Sequence, residues 1–147
     1  MDSKMQKQFN NNCPYCTKNE KHMSSLIKIC QLNVSTLYLL KEQTYKGRCI
    51  VVLNWHMTEL FDLENEIMHL FAEDVSRAAK AISKAFQPQK INYAVYGDLV
   101  PHLHFHLVPK YIDGHCWGKP FDSQPDDKVM LSDTEYQEMI TQIKNVL

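Results

Sequence analysis

Apolar and polar residues alternate along residues 101–110, where three histidines are separated by single bulky apolar residues. Because successive side chains of a β-strand point to opposite faces of a sheet, this segment as a strand places His102, His104 and His106 on one face. The intervening leucine and phenylalanine side chains then point to the other face, where a core can bury them. A helix would distribute the same histidines around its circumference, so the pattern predicts a strand that ends near Lys110.

Four other segments have the β-branched or continuous apolar composition that is typical of strands. They span residues 26–32, 36–40, 49–53 and 91–96. The first two are separated by a short polar connection and predict a hairpin. The third is continuous and β-branched, so we expect it to be buried on both faces.

Helical periodicity covers two stretches of the chain. Apolar residues recur every three or four positions from about residue 64 to residue 85, which predicts one long amphipathic helix after a short turn at 58–62. Gln87 and Pro88 mark its end, since proline cannot continue the helical hydrogen bonds. A second periodic pattern at 134–146 predicts a C-terminal helix.

The chain of 147 residues has the length and composition of one globular domain. We expect a flexible polar leader at residues 1–12 and a single domain at residues 13–147, because no linker or internal repeat divides the remainder. The formal net charge of −1 leaves no broad basic field of the kind that binds nucleic acid. Any anionic ligand must therefore be held by local groups.

The apolar runs and the cysteines of the sequence predict the cellular compartment. No apolar run is long enough to span a bilayer, and the polar start lacks the apolar centre of a signal peptide. Five cysteines, an odd number without the spacing of a disulfide framework, indicate a reducing compartment. We therefore expect a cytoplasmic protein with no membrane partner.

A Cys-x-x-Cys pair, formed by Cys13 and Cys16, follows the polar leader. Such a pair is either a redox site or half of a zinc site, and its spacing fits both. The redox form needs a strand before the pair and a helix that starts at it. The polar residues on both sides of this pair favour zinc.

Core packing accounts for the apolar face of the predicted strand, whereas the three histidines on the other face require a separate explanation. Imidazole rings are costly to cluster, because protonation of one ring disfavours protonation of its neighbours. The cluster therefore indicates a metal site, a polyanion site or covalent chemistry at histidine.

With these residues the chain resembles the histidine triad (HIT) family of nucleotide hydrolases and transferases, in its zinc-bearing form. The resemblance rests on residues 102–108 and is supported by Gly47, His56, residues 60–63 and the cysteine pair. It implies an α+β fold with a five-stranded, mainly antiparallel sheet on which the long helix packs, commonly as a homodimer. The predicted C-terminal helix adds to this fold.

The resemblance implies a mechanism centred on His104, the middle histidine. This residue would attack the α-phosphorus of a nucleotide and form a nucleotidyl-histidine intermediate. Imidazole suits that role because it is neutral near pH 7, is nucleophilic, and leaves readily when protonated. His106, on the same face, would donate hydrogen bonds or charge to the phosphate oxygens.

The resemblance also implies a metal ligand set. In zinc-bearing members the ligands match Cys13, Cys16, His56 and His102, a tetrahedral Cys₂His₂ set. Alone, His56 is better interpreted as a hydrogen-bonded histidine at a helix entrance, but the two cysteines favour a ligand. The zinc would be structural, because it would hold the N-terminal arm beneath the catalytic strand.

Two departures from the family pattern affect substrate binding. The acid that holds the ribose in many members falls near Leu40, so we expect one of the next three residues, with Gln43 as the candidate, to replace it. The glutamine that grips the phosphates in many members is Asp98 here, which we expect to cap a turn. Asn92 resembles the polar residue that reaches the phosphate in relatives.

Three functions agree with these residues. The favoured one is hydrolysis of a dinucleoside polyphosphate or nucleoside phosphoramidate, because the chain is too short for a domain that binds a second large substrate. A nucleotidyltransferase would pass through the same intermediate. A nucleotide-binding module with little turnover is the third, and the intact His104 argues against it.

Overall fold

The computed structural model describes residues 8–147. Residues 1–7, the larger part of the predicted leader, lie outside this range. Five strands and three helices follow in chain order: α1 (Glu20–Met23), β1 (Leu26–Gln31), β2 (Ser35–Leu40), β3 (Cys49–Leu53), α2 (Asn65–Phe86), β4 (Lys90–Ala94), β5 (His104–Lys110) and α3 (Asp133–Lys144). A single 3₁₀ turn at Leu60–Asp62 precedes α2. The predicted α+β fold, with its long helix and C-terminal helix, is confirmed.

The five strands form one antiparallel sheet in the order β1-β2-β3-β5-β4. The central strand β3 is buried along its whole length, as its continuous apolar sequence predicts. Cys49, Val51 and Leu53 face the main core, whereas Ile50 and Val52 belong to a second apolar cluster on the other face. The sheet is therefore covered on both sides.

The main core lies between the sheet and the two longer helices. Helix α2 is amphipathic and buries one apolar face against the sheet, and α3 packs beside it. The apolar residues of the histidine segment point into this core: Leu103 and Leu107 are buried, and the ring of Phe105 packs edge-on against Phe71 of α2 at 5.4 Å. This packing turns the histidines to the opposite face of the sheet.

The N-terminal arm covers the face that carries the histidines. Cys13 and Tyr15 are buried there with Leu26 of β1 and with Ile50 and Val52 of β3. The residues before them, 8–12, are exposed. Two chain segments far apart in sequence thus meet on the histidine face.

The histidine strand begins later than the sequence pattern predicts. β5 starts at His104, because His104 is the first residue with a ladder partner on β3, namely Val52. His102 precedes the strand: its N–H donates to the carbonyl of Val100, and the N–H of Leu103 donates to the carbonyl of Met57. The alternation of side chains nevertheless continues back to the first histidine, which is buried.

Asp74 of α2 connects the long helix to the β1–β2 hairpin. This carboxylate is fully buried and accepts hydrogen bonds from the N–H groups of Asn33 and Val34, each at 2.9 Å, and from the hydroxyl of Ser35 at 2.6 Å. The hairpin turn therefore depends on one side chain from α2 for its buried donors.

Among the described residues, no helix combines the length and apolarity needed to cross a bilayer.

Asp74→Ala should lower the free energy of unfolding by about 2–4 kcal/mol, because the turn's buried donors lose their acceptor. Glu73→Ala is the matched control on the same helix; its side chain is exposed, and it should change the free energy by no more than about 0.5 kcal/mol. Chemical denaturation of both variants measures the difference. Equal effects would contradict the assigned role of Asp74.

Candidate functional site

Two groups of side chains meet on the histidine face, and the first is a cluster of four potential metal ligands. The ligand atoms of Cys13, Cys16, His56 and His102 all lie within 4.8 Å of one another. The cysteines come from the N-terminal arm, His56 follows β3, and His102 precedes β5. Three separate segments thus converge on one point, and these residues could hold a metal ion.

The orientation of His102 is set by a backbone carbonyl. Its Nε2 donates to the carbonyl of Leu53 at 2.8 Å, so Nδ1 carries a lone pair. This Nδ1 lies 3.3 Å from Sγ of Cys13 and 3.6 Å from Sγ of Cys16, and Nδ1 of His56 lies 3.6 Å from the same Cys16 sulfur. Two ligand atoms of a tetrahedral zinc are about 3.3–3.8 Å apart, so the donor set fits such an ion. Burial, together with the neighbouring His56 and His104, lowers the pKa of His102 to about 4.

His104 has a defined nucleophilic nitrogen. Its Nδ1 lies 2.6 Å from the carbonyl oxygen of His102, which can only accept, so Nδ1 carries the proton. Nε2 is therefore unprotonated and has a free lone pair. Burial lowers the pKa of His104 below its ordinary value, so the ring is neutral near pH 7. A neutral imidazole with a free Nε2 is a nucleophile.

His106 stands beside His104 and has a cation behind it. The two ring centroids are 5.1 Å apart, and Nδ1 of His106 lies 3.5 Å from a guanidinium nitrogen of Arg48. Burial lowers the pKa of His106 to about 3, with further contributions from His104 and Arg48. Because the guanidinium can only donate, Nδ1 of His106 accepts, and Nε2 carries the proton.

Both histidines line a cavity of about 440 Å³ on this face. Its lining includes both apolar and polar side chains, among them Tyr15, Leu26, Leu40, Ile50, Arg48, Tyr96, Asp98, Ser123 and Gln124. The ring of Tyr15 lies 5.4 Å from that of His102 and 5.3 Å from that of His104. The N-terminal arm, which carries both cysteines, thus contributes part of the cavity lining.

A model of the HIT domain family matches residues 20–113, more than half of the chain. The chain belongs to the HIT family. The cysteine pair lies before the matched segment, so the match covers His56 and His102 but neither thiol.

Curated relatives of this HIT protein are distant in sequence. It is 25% identical over 118 residues to the adenosine 5′-monophosphoramidase hnt1 of Schizosaccharomyces pombe, a match that covers 77% of this chain and 85% of that protein. It is 27% identical over 90 residues to Protein hit of Bacillus subtilis. That second match covers 58% of this chain and 62% of the relative, which is less than two thirds of the relative's length.

Solved structures share the fold of this HIT protein at low identity. A histidine triad protein from Bradyrhizobium japonicum superposes with a TM-score of 0.79 at 22% identity, covering 87% of this chain and 95% of the other. One from Sinorhizobium meliloti gives 0.80 at 20% identity, covering 88% and 95%. A zinc-bound histidine triad family protein from Mycobacterium smegmatis gives 0.63 at 18% identity, covering 91% and 94%. The comparison supports the α+β HIT fold.

Neither of the two predicted substrate-binding residues lines this cavity. The amide of Gln43 is buried: its nitrogen donates to the carbonyls of Leu40 and Arg48, and its oxygen accepts from the N–H of Gly47 at 2.8 Å. Both ends of this amide are therefore occupied by the turn between β2 and β3. Gln43 has a structural role in the HIT fold and does not face the histidines.

Asn92 shares the histidine face but lines a different cavity. It lies opposite Val108 in the sheet, and the buried Val108 packs with Tyr45 and Phe121. The cavity that Asn92 lines is bordered by Lys110 and the loop around residues 117–120. Asn92 is thus a diagonal neighbour of His106 in the sheet, but it does not line the cavity of His104 and His106.

Two residues of the site were missed by sequence reasoning. Arg48 immediately precedes β3, and it shares the parity of Ile50 and Val52, which places its side chain on the histidine face. This alternation could have predicted from the sequence that Arg48 faces the histidines. Tyr15 lies between the two cysteines, and nothing in the spacing of the pair indicates that its ring contacts His104.

Proposed function

We propose that this HIT protein is a nucleotide hydrolase that cleaves a dinucleoside polyphosphate or a nucleoside phosphoramidate at the α-phosphorus through a nucleotidyl-histidine intermediate. The observation that carries the proposal is the pairing of a neutral His104, with Nε2 free, and a cavity large enough for part of a nucleotide. The relatives named adenosine 5′-monophosphoramidase support the phosphoramidate class.

The reaction has two steps that share the same phosphorus. In the first, the lone pair on Nε2 of His104 forms an N–P bond, the bond from phosphorus to the leaving oxygen or nitrogen breaks, and the leaving group takes a proton from solvent. In the second, water attacks phosphorus, the N–P bond breaks, and the water proton is lost to solvent. His104 then regains its lone pair.

The neighbouring groups act on the charge that develops at phosphorus. Nε2–H of His106 donates a hydrogen bond toward the phosphate oxygens, which stabilises them most when the charge is greatest. The carbonyl oxygen of His102 accepts from Nδ1–H of His104 at 2.6 Å in the free protein. The same hydrogen bond stabilises the positive charge of the ring once Nε2 is bonded to phosphorus. Phosphate or a sugar phosphate in place of water would give the transferase outcome from the same intermediate.

His104→Ala should lose nearly all turnover, on the order of a thousandfold or more, because no other group forms the covalent intermediate. Turnover of an adenosine phosphoramidate and of diadenosine polyphosphates measures this. His69→Ala is the matched control, since His69 is exposed on α2, and it should retain full turnover. Rapid quench with a labelled α-phosphate should trap label on the wild-type protein in an acid-labile form.

Wild-type turnover in His104→Ala would overturn the nucleophile assignment. Tight nucleotide binding by the wild-type protein without turnover or trapped label would instead favour the binding-module function. Product analysis with added phosphate separates hydrolysis from transfer.

We further propose that Cys13, Cys16, His56 and His102 hold one structural zinc ion. The separation of their donor atoms supports this, as does the donation of Nε2–H of His102 to a carbonyl, which leaves Nδ1 free for a metal. The ion would crosslink the N-terminal arm to the segments that flank β3 and β5. It takes no part in the chemical steps.

The Cys13→Ser, Cys16→Ser double variant should lose about one equivalent of zinc and melt at a lower temperature than the wild type. Cys30→Ser is the matched control, because Cys30 is a free thiol outside the cluster, and it should keep the zinc. Metal analysis of protein purified without chelator measures the content. Far less than one equivalent in the wild type would contradict the zinc assignment.

We also propose a cytoplasmic homodimer. The five free cysteines support a reducing compartment. β4 is an edge strand of the sheet, and the side chain of Tyr93 on it is 53% exposed beside a groove against α2. An open edge with an exposed aromatic residue suits a symmetric contact.

Light scattering should therefore give twice the 17.2 kDa mass of the chain. Tyr93→Lys should shift the mass toward the monomer, because it places a charge on the edge. Val129→Lys, at an exposed residue of the C-terminal loop, is the control and should stay dimeric. A monomeric wild type at micromolar concentration would contradict the dimer.

A further inference from the structure

Arg48 lines the histidine cavity and lies two residues before Ile50, on the same face of the sheet. Its side chain is 3% exposed and lines the cavity together with His104 and His106. The preceding Gly47 has a φ of +94°, and a Cβ there would meet the ring of Phe86 at 2.5 Å. This tight turn directs the chain into β3 and Arg48 toward the histidines.

The guanidinium has few partners for its five donor hydrogens. One terminal nitrogen donates to the carbonyl of Ser123 at 3.3 Å and the other lies 3.5 Å from His106, whereas the buried Nε has no partner among the described residues. The ring of Phe121 covers one side of the group, 5.2 Å from its central carbon. These contacts leave donor hydrogens without a partner on a side chain that lines the cavity.

No carboxylate within the described residues forms an ion pair with this cation. Glu42 and Asp122 lie near enough to favour its charge, but both are engaged elsewhere. Glu42 accepts from Thr44 and Val129, and Asp122 accepts from the N–H of Gln124 and contacts His115. A buried cation without a paired anion is destabilising by itself.

A buried guanidinium with a spare donor, placed in a cavity beside two neutral histidines, has the chemistry of an anion site. Guanidinium binds phosphate oxygens through two parallel hydrogen bonds and is less strongly hydrated than an ammonium group, so burial suits it. The cavity walls supply a cation, two neutral imidazoles and the apolar side chains described above. The exposed Asp98 is the carboxylate at its border.

We propose that Arg48 is a substrate-binding residue whose guanidinium contacts the phosphate oxygens of a ligand seated against His104 and His106. The nucleotide character of that ligand rests on the function proposed above, whereas the anion contact rests on the geometry of Arg48. The site therefore distinguishes a nucleotide from the corresponding nucleoside through one buried cation.

Paired ligands test the assignment by calorimetry without any need for turnover: adenosine 5′-monophosphate, adenosine and inorganic pyrophosphate. Arg48→Met should weaken binding of the monophosphate and of pyrophosphate on the order of 10- to 100-fold, the loss expected when a charged hydrogen bond is removed. Adenosine binding should change less than about twofold. Arg48→Lys keeps the charge but not the paired donors. Its affinity for the monophosphate and for pyrophosphate should therefore lie between those of the wild type and Arg48→Met.

Lys46→Met is the matched control, because Lys46 is an exposed cation two residues away that does not line the cavity. It should leave all three affinities unchanged. Equal losses of affinity for the monophosphate and for adenosine in Arg48→Met would overturn the proposal. They would indicate instead that Arg48 stabilises the position of residues 121–124. A wild type that binds the monophosphate and pyrophosphate no better than adenosine would overturn it as well.

A crystal of the wild type soaked with adenosine 5′-monophosphate decides the matter if Arg48→Met fails to fold. A guanidinium nitrogen within about 3.2 Å of a phosphate oxygen supports the assignment, and a phosphate without that contact overturns it. Arg48-dependent nucleotide binding with no turnover and no trapped label would refute the proposed hydrolysis while the assignment of Arg48 stands.

Discussion

The site depends on the opposite orientation of neighbouring side chains in the segment that leads into β5. Leu103 and Leu107 must be buried between the sheet and α2, and Phe105 contacts Phe71 of the helix. A shift of one residue in register would expose these apolar side chains and move the histidines into the core, which would cost several kilocalories per mole. Core packing on one face therefore fixes the position of the histidines on the other.

Three chemically identical side chains differ in the ring nitrogen that is left free, because each has a different partner on the other nitrogen. The carbonyl of Leu53 holds Nε2–H of His102 and leaves Nδ1 for the cysteine cluster. The carbonyl of His102 holds Nδ1–H of His104 and leaves Nε2 free in the cavity. The guanidinium of Arg48 requires the opposite protonation of His106, with a donor at Nε2. The backbone and one cation thus fix which nitrogen of each ring is protonated, and this is the pattern that the proposed metal ligand, nucleophile and donor require.

The parts of this arrangement that depend on periodicity could be predicted from the sequence. The five strands, α2, α3 and the shared face of His104 and His106 follow from side-chain spacing, which local geometry enforces. The position of Gln43 could not, because it is set by a turn in which the side chain replaces backbone partners. Asn92, which resembles the phosphate-contacting residue of relatives, lies on the histidine face but lines another cavity beside the loop at 117–120, and loop packing of this kind has no signature in spacing.

Through Tyr15, the N-terminal arm lines the cavity in addition to supplying two of the four potential metal ligands. Its ring is buried between His102 and His104, and it is held there because Cys13 and Cys16 on either side of it belong to the four-residue cluster. Burial raises the pKa of its hydroxyl, so the wall that it forms is neutral. The buried guanidinium of Arg48 lines the same cavity. A neutral aromatic ring and an unpaired cation therefore share one cavity with His104, and this combination is what the proposed phosphate contact requires.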